Sequence, residues 1–231
     1  DSEVGHISGM LSGVEQEKTP LTRQLDQITV LITIMAAAAL VLVAVAVAYS
    51  VASWGQPQPG ALFHVLIGTL LVAASSSALN QYRERHLDRM MERTSDRPLP
   101  SGRLSSREVL VFGAIGLVVG LLYLGWLVGT ASAAWATLTW VLYVCVYTPA
   151  KTRTSANTAI GAVAGAMPVL IGWSATGAEL NAAVLVLFAI LVCWQLPHFM
   201  AIAWLYRADY EQAGHQMATV VDKTGRLAAW Q

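Results

Sequence analysis

Four stretches of this 231-residue chain contain no Asp, Glu, Lys or Arg: 27–82, 109–150, 154–178 and 180–206, which are 56, 42, 25 and 27 residues long. A helix crossing the hydrocarbon core of a bilayer needs about 20 apolar residues. The first two runs can each hold two such helices and the last two one each. This predicts six spans, near 29–52, 61–81, 109–129, 133–150, 157–175 and 181–205. Peptide groups in lipid must pair within their own segment, so runs of this kind fold as helices. A secretory signal would account for one such segment, not six. The expected fold class is an all-α polytopic membrane protein, with a polar N-terminal segment at 1–25 and a transmembrane domain over 26–231.

Composition agrees. The chain is 55% hydrophobic and 12% charged, where soluble domains carry about 25% charged residues. That excludes an ordinary water-soluble enzyme, a disordered tail and a basic nucleic-acid-binding domain. Cys145 and Cys193 sit inside apolar runs and read as small buried hydrophobes. No Cys/His spacing suggests a structural zinc site. The pairs Gly116–Gly120, Gly125–Gly129 and Gly161–Gly165 read as close helix contacts.

Six spans put the N-terminal segment and the linkers 82–108, 151–156 and 206 onward on one side of the membrane. All 14 Lys and Arg fall there, and the other side carries Glu179 alone. By the positive-inside rule the basic side faces the cytoplasm, or the matrix of a mitochondrion.

The long basic-side linker holds the candidate chemistry. Asn80, Glu84 and Asp88 are spaced i, i+4, i+8. On a helix continuing from the second span they form one stripe, and oxygen donors in that arrangement suit a hard divalent cation such as Mg²⁺. The arginines between them, Arg93 and Arg97 included, allow a plain solvated, salt-bridged surface instead. Arg97-Pro98-Leu99-Pro100 should break the helix, and Ser105 with Glu108 forms a capping box into the third span. In the second linker Pro149 ends the fourth span, followed by Lys151 and Arg153, which could hold a diphosphate or simply obey the charge rule. In the sixth span Pro197 should kink or open the helix near Cys193, with His198 beside it. A histidine within a span is a candidate ligand contact or a satisfied packing residue. Asp209 adds an acid at the basic-side end of that span.

Three stretches carry a resemblance: NQYRERHLDRMMERTSDRPLPSGRLS at 80–105, YTPAKTRTSANTAIGAVAGAMPVLIGW at 147–173 and WQLPHFMAIAWLYRADYEQAG at 194–214. The chain resembles the intramembrane aromatic prenyltransferases of the UbiA superfamily over roughly 20–231, and within it the branch that farnesylates heme. The resemblance implies a helical bundle of nine spans around a central cavity, so that three would follow residue 231. It implies farnesyl diphosphate and heme b as substrates, with farnesyl transfer to a vinyl group, addition of water, and heme O and diphosphate as products. It implies Mg²⁺, as two ions, on Asn80, Glu84, Asp88 and Asp209. Arg93, Arg97, Lys151 and Arg153 would hold the diphosphate. Tyr147 would face the allylic cation, and its plain alternative is an interfacial anchor. His198 would contact heme. Membrane lipids, a downstream heme A synthase and the terminal oxidase assembly are the implied neighbours. The alternatives are a related transferase acting on a quinone precursor or lipid acceptor, and a membrane transporter or assembly factor.

Three departures stand out. The family's Leu-Thr-Lys-Pro-Arg start is replaced by Leu21-Thr22-Arg23-Gln24-Leu25, and the second acidic motif, Asp-xxx-Asp, has Ala213 four residues after Asp209. Where the family reads AG-x-PM, this chain reads Ala213-Gly214-His215-Gln216-Met217.

Overall fold

A computed structural model describes Met35 and residues 38–222. The segment 1–25 and the start of the span expected at 29–52 lie outside the described residues. Residues from Leu40 onward form one unit, and the description stays within it.

Every regular element among the described residues is helical. Helix α1 covers Ala38–Ala52, α2 Pro59–Asp88, α3 Ser106–Leu127, α4 Thr130–Ala150, α5 Asn157–Ser174 and α6 Ala182–Leu205. The last five are long and apolar enough to cross a membrane, and α1 over its described part is shorter.

Helix α2 starts with Pro59 in its first turn, where a missing N–H costs nothing. At about 1.5 Å per residue it is about 45 Å long, against about 30 Å of hydrocarbon. Its last turns therefore project from the membrane, and they carry Asn80, Glu84 and Asp88. The helix ends at Asp88, well before Pro98; Thr94 Oγ1 donates to the Asp88 carbonyl at 2.9 Å and folds the linker back under the helix end.

Helix α3 begins at the predicted capping box: Glu108 N–H donates to Ser105 Oγ at 3.2 Å and Ser105 N–H to Glu108 Oε2 at 2.7 Å. It returns along α2 with glycines at the contact. Cβ atoms built on Gly113 and Gly120 would stand 2.7 Å from Leu79 and 2.8 Å from Val72. Ser75 Oγ donates to the Gly113 carbonyl at 2.6 Å and accepts from Trp140 Nε1 at 3.2 Å, tying three helices. Such bonds substitute for a hydrophobic drive that lipid does not supply. The Gly125–Gly129 pair behaves differently from expectation. Gly125 meets only the Ala133 methyl at 4.0 Å, and Gly129, with φ +151°, makes the turn into α4.

Two apolar cores lie within the bundle. Val45, Tyr49, Val65, Val72, Leu124 and Ile171 form one, and Ala48, Met167, Leu170, Trp173 and Val184 another. A third, of Met91, Ala203, Tyr210, Ala213 and Met217, packs the linker after α2 against the chain beyond α6.

Two local expectations are corrected, and a third holds with an added detail. Cys145 and Cys193 are exposed rather than buried, because α4 and α6 turn those positions away from the bundle. Pro197 does not open α6, which is helical throughout Ala182–Leu205; only the N–H that would have met the Cys193 carbonyl is lost. Helix α4 ends at Ala150 as Pro149 requires, but Val141–Tyr147 is wound as a π-helix, with the Thr148 N–H reaching back five residues to the Tyr143 carbonyl.

Candidate active site

The stripe on α2 is buried: Asn80 and Glu84 are each 5% exposed and Asp88 1%. Each acid meets a cation from elsewhere in the sequence. Lys151, just past α4, donates from Nζ to Glu84 Oε2 at 3.0 Å, and Glu84 Oε1 lies 2.8 Å from the same nitrogen. That second contact is an ion pair without hydrogen-bond alignment, since Oε1 has no hydrogen-bond donor. Arg97 Nη1 donates to Asp88 Oδ1 at 3.1 Å and Oδ2 at 2.9 Å. Asn80 Nδ2 donates to Glu84 Oε2 at 3.0 Å, and Asn80 Oδ1 faces the Thr148 hydroxyl at 2.9 Å. The single Thr148 proton is shared between that oxygen and the Tyr143 carbonyl, 2.8 Å away.

Burial works against the charge on Lys151, but Tyr147 and the Glu84 carboxylate beside it leave the ammonium above the ordinary lysine range. The Tyr147 ring centroid is 4.7 Å from Lys151 Nζ. Its far side lies on Gly161, where a Cβ would approach to 2.6 Å. Tyr147 thus packs from α4 onto α5, and Gln195 of α6 is buried against Gly165 of α5.

The chain beyond α6 closes the same junction. Arg93 Nη2 donates to the Tyr210 hydroxyl at 3.3 Å and lies over the Tyr206 ring at 5.3 Å. Gln216 N–H donates to the Lys151 carbonyl at 2.7 Å, and Asn157 Nδ2 donates to the Gln216 carbonyl at 2.9 Å. The linkers after α2 and α4 and the segment after α6 therefore meet at one end of the bundle.

Arg153 is exposed and Asp209 half-buried on the short helix Arg207–Gln212. His198 is exposed on α6 and stacks on Trp194, with ring centroids 5.1 Å apart. Among the described residues no three His, Cys, Asp or Glu side chains are gathered closely enough to hold a metal ion. The donor chemistry still fits a hard cation at the stripe: two buried carboxylates and an amide on one helix face, each carboxylate paired with one cationic side chain.

Sequence reasoning did not single out Thr148, Asn157 or His215 for the site. Asn157 and Thr148 sit within or beside apolar runs, where a polar side chain was itself a signal. His215 is 1% exposed, and neither ring nitrogen has a hydrogen-bond partner.

The sequence model of the UbiA prenyltransferase family matches residues 28–231. The chain is 49% identical over 170 residues to the protoheme IX farnesyltransferase of Rhodopirellula baltica, covering 73% of this chain and 59% of that protein. It is 39% identical over 203 residues to the protoheme IX farnesyltransferase of Koribacter versatilis, covering 88% of this chain and 64% of that one. The chain thus spans less than two thirds of the length of these relatives. Its fold is similar to that of a UbiA homologue from Archaeoglobus fulgidus solved bound to DMAPP and Mg²⁺, with a TM-score of 0.67, 18% identity, and coverage of 82% of this chain and 68% of that one.

Proposed function

The chain belongs to the UbiA prenyltransferase family, and on that premise we propose that it transfers the farnesyl group of farnesyl diphosphate to a vinyl group of heme b. Water adds at the same substituent, giving heme O and diphosphate. The identity of the acceptor rests on the two protoheme IX farnesyltransferases described above. The observation that carries the diphosphate half of the reading is the junction itself, where Glu84 meets Lys151 at 2.8 Å and Asp88 meets Arg97 at 2.9 Å.

Breaking the allylic C–O bond puts negative charge on the diphosphate and positive charge on the farnesyl carbon. Asn80, Glu84, Asp88 and Asp209 are the residues to hold Mg²⁺, as two ions. Bound there, Mg²⁺ supplies Lewis-acid stabilisation of the leaving group. Lys151 and Arg97 exchange their carboxylates for phosphate oxygens when the substrate arrives, and Arg93 and Arg153 extend that set. Charged donors fixed where charge develops stabilise the transition state more than the ground state. Tyr147 turns its ring to the allylic cation. The vinyl carbon bonds to the farnesyl carbon, and the cation left beside the porphyrin takes water and loses a proton. The apolar cores keep water from the allylic carbon until then. His198 contacts the heme through iron or a propionate. The membrane is a bacterial cytoplasmic or mitochondrial inner membrane, with the basic side toward cytoplasm or matrix.

The test is incubation of the full chain, purified in detergent, with heme b, farnesyl diphosphate and Mg²⁺, with products read by mass spectrometry. Heme O is expected. Turnover only with an aromatic quinone precursor would replace the acceptor, and no diphosphate release with either would remove the reading.

A further inference from the structure

The helix Arg207–Gln212 ends in a reversal that places one side chain with unusual constraint. Gly214, with φ +72°, takes the left-handed position; His215 N–H returns to the Tyr210 carbonyl at 2.9 Å and Gly214 N–H to the Glu211 carbonyl at 3.1 Å. This is the Schellman pattern, and the residue after its glycine ordinarily makes an apolar contact back onto the helix. His215 occupies that place. Its ring meets the Tyr210 ring edge-on, with centroids 5.5 Å apart and an interplanar angle of 89°.

An imidazole is an odd choice for such a seat. It is 1% exposed, and both Nδ1 and Nε2 lack hydrogen-bond partners. A buried polar atom left unpaired costs about 1–3 kcal/mol, so an apolar ring would serve packing better. The surroundings indicate what could repay the cost. Tyr210, against which the ring packs, accepts from Arg93, and the next residue, Gln216, is bonded to the Lys151 carbonyl. His215 therefore sits beside a residue bonded to Arg93 and next in sequence to one bonded to the Lys151 backbone. The charges acting on it are those of Glu84, Lys151 and Arg93. Burial pushes the imidazole below the ordinary histidine range, opposed by Glu84 and by the Lys151 carbonyl, which lies near the ring without the alignment of a full hydrogen bond, and aided by the Lys151 ammonium and Arg93. A neutral ring has one N–H to donate.

We propose that His215 is a further diphosphate-binding residue, donating a ring N–H to a phosphate oxygen of the allylic substrate and of the diphosphate product. The proposal rests on the prenyl-transfer reading of the same junction and adds to it a residue outside the acidic stripe and the basic linkers.

The test uses the full chain in detergent, with inorganic diphosphate and Mg²⁺ titrated by calorimetry and heme b titrated separately by its absorption bands. His215→Phe keeps a ring in the Schellman seat and removes both nitrogens. It should weaken diphosphate binding at least about tenfold, the loss of one hydrogen bond to a charged group, and leave heme affinity unchanged. His215→Gln restores an N–H donor and should recover most of the affinity. Diphosphate affinity in His215→Phe equal to wild type would overturn the proposal and leave the nitrogens to buried water. Equal losses for diphosphate and heme would also overturn it, because they report general damage to the junction. If His215→Phe does not fold, as read by thermal unfolding, His215→Ala replaces it, with wild-type diphosphate affinity again the overturning result. Wild-type protein that binds no diphosphate at all would bring down the prenyl-transfer reading first, and so separates the two failures.

Discussion

Helix α2 passes through two regions held together by opposite means. From Val65 to Leu79 it lies against α3 through many small contacts, with Gly113 and Gly120 on the facing helix. From Asn80 to Asp88 it is held by single partners: Lys151 for Glu84 and Arg97 for Asp88. The apolar half spreads its stabilisation over neighbours that can shift to fill a gap. The polar half concentrates it in charges that nothing else neutralises. The first region tolerates change by relaxing, while the second answers a single substitution with an unpaired buried charge.

Lys151→Met should have the largest effect. It strands Glu84 and should destabilise the chain by about 3–5 kcal/mol, read by unfolding in detergent; adding Glu84→Gln should recover much of the loss. No recovery would show that Lys151 stabilises by packing, as the apolar half does. Asp88→Asn comes next and separates function from stability. It retains size and polarity, so the fold should persist while Mg²⁺-dependent turnover falls about 10²–10³-fold. Near-normal turnover across a full Mg²⁺ titration would remove Asp88 from the metal set.

In the apolar half, Gly120→Leu forces a side chain onto Val72 and should cost about 1–3 kcal/mol, with kcat unchanged per folded molecule. A turnover defect in the folded fraction would mean that the two halves of α2 are mechanically linked. The smallest effect is expected for Ser75→Ala, which removes the bond to the Gly113 carbonyl and the one from Trp140 Nε1, at about 0.6 kcal/mol each. A loss as large as that of Lys151→Met would erase the distinction.

The same contrast governs what could be read from the sequence. The spans were legible because lipid leaves helices as the solution for long uncharged runs: α3 to α6 begin and end within three residues of expectation, while α2 runs seven residues past the expected 81. The stripe of Asn80, Glu84 and Asp88 was legible because helical periodicity alone aligns residues four apart. The choice of partners was not. Glu84 and Lys151 lie 67 positions apart, and many arginines competed for Asp88. Tyr147 could be read as a site aromatic or an interfacial anchor, and spacing alone did not show that it packs against Gly161 and Lys151. The two cysteines were misjudged because an apolar run facing lipid and one facing a core have the same composition. His215 fell on the variable position of a motif, and only burial of both its nitrogens shows it to be a constrained residue.

The wide turn at Val141–Tyr147 imposes a condition on chain length. An i→i+5 turn accommodates one more residue than an ordinary helical turn. Rewinding this stretch into α-helix at its present length would advance everything after it by about 100° of helical phase. The Lys151 ammonium would then leave the azimuth at which it faces Glu84, with no charge altered. Deleting one residue together with the rewinding would restore it. Helix α4 behaves here as a dial set by its winding: the identity of Lys151 and the wide turn before it are separate requirements, and a change that tightens this stretch would silence the junction with every named side chain still in the sequence.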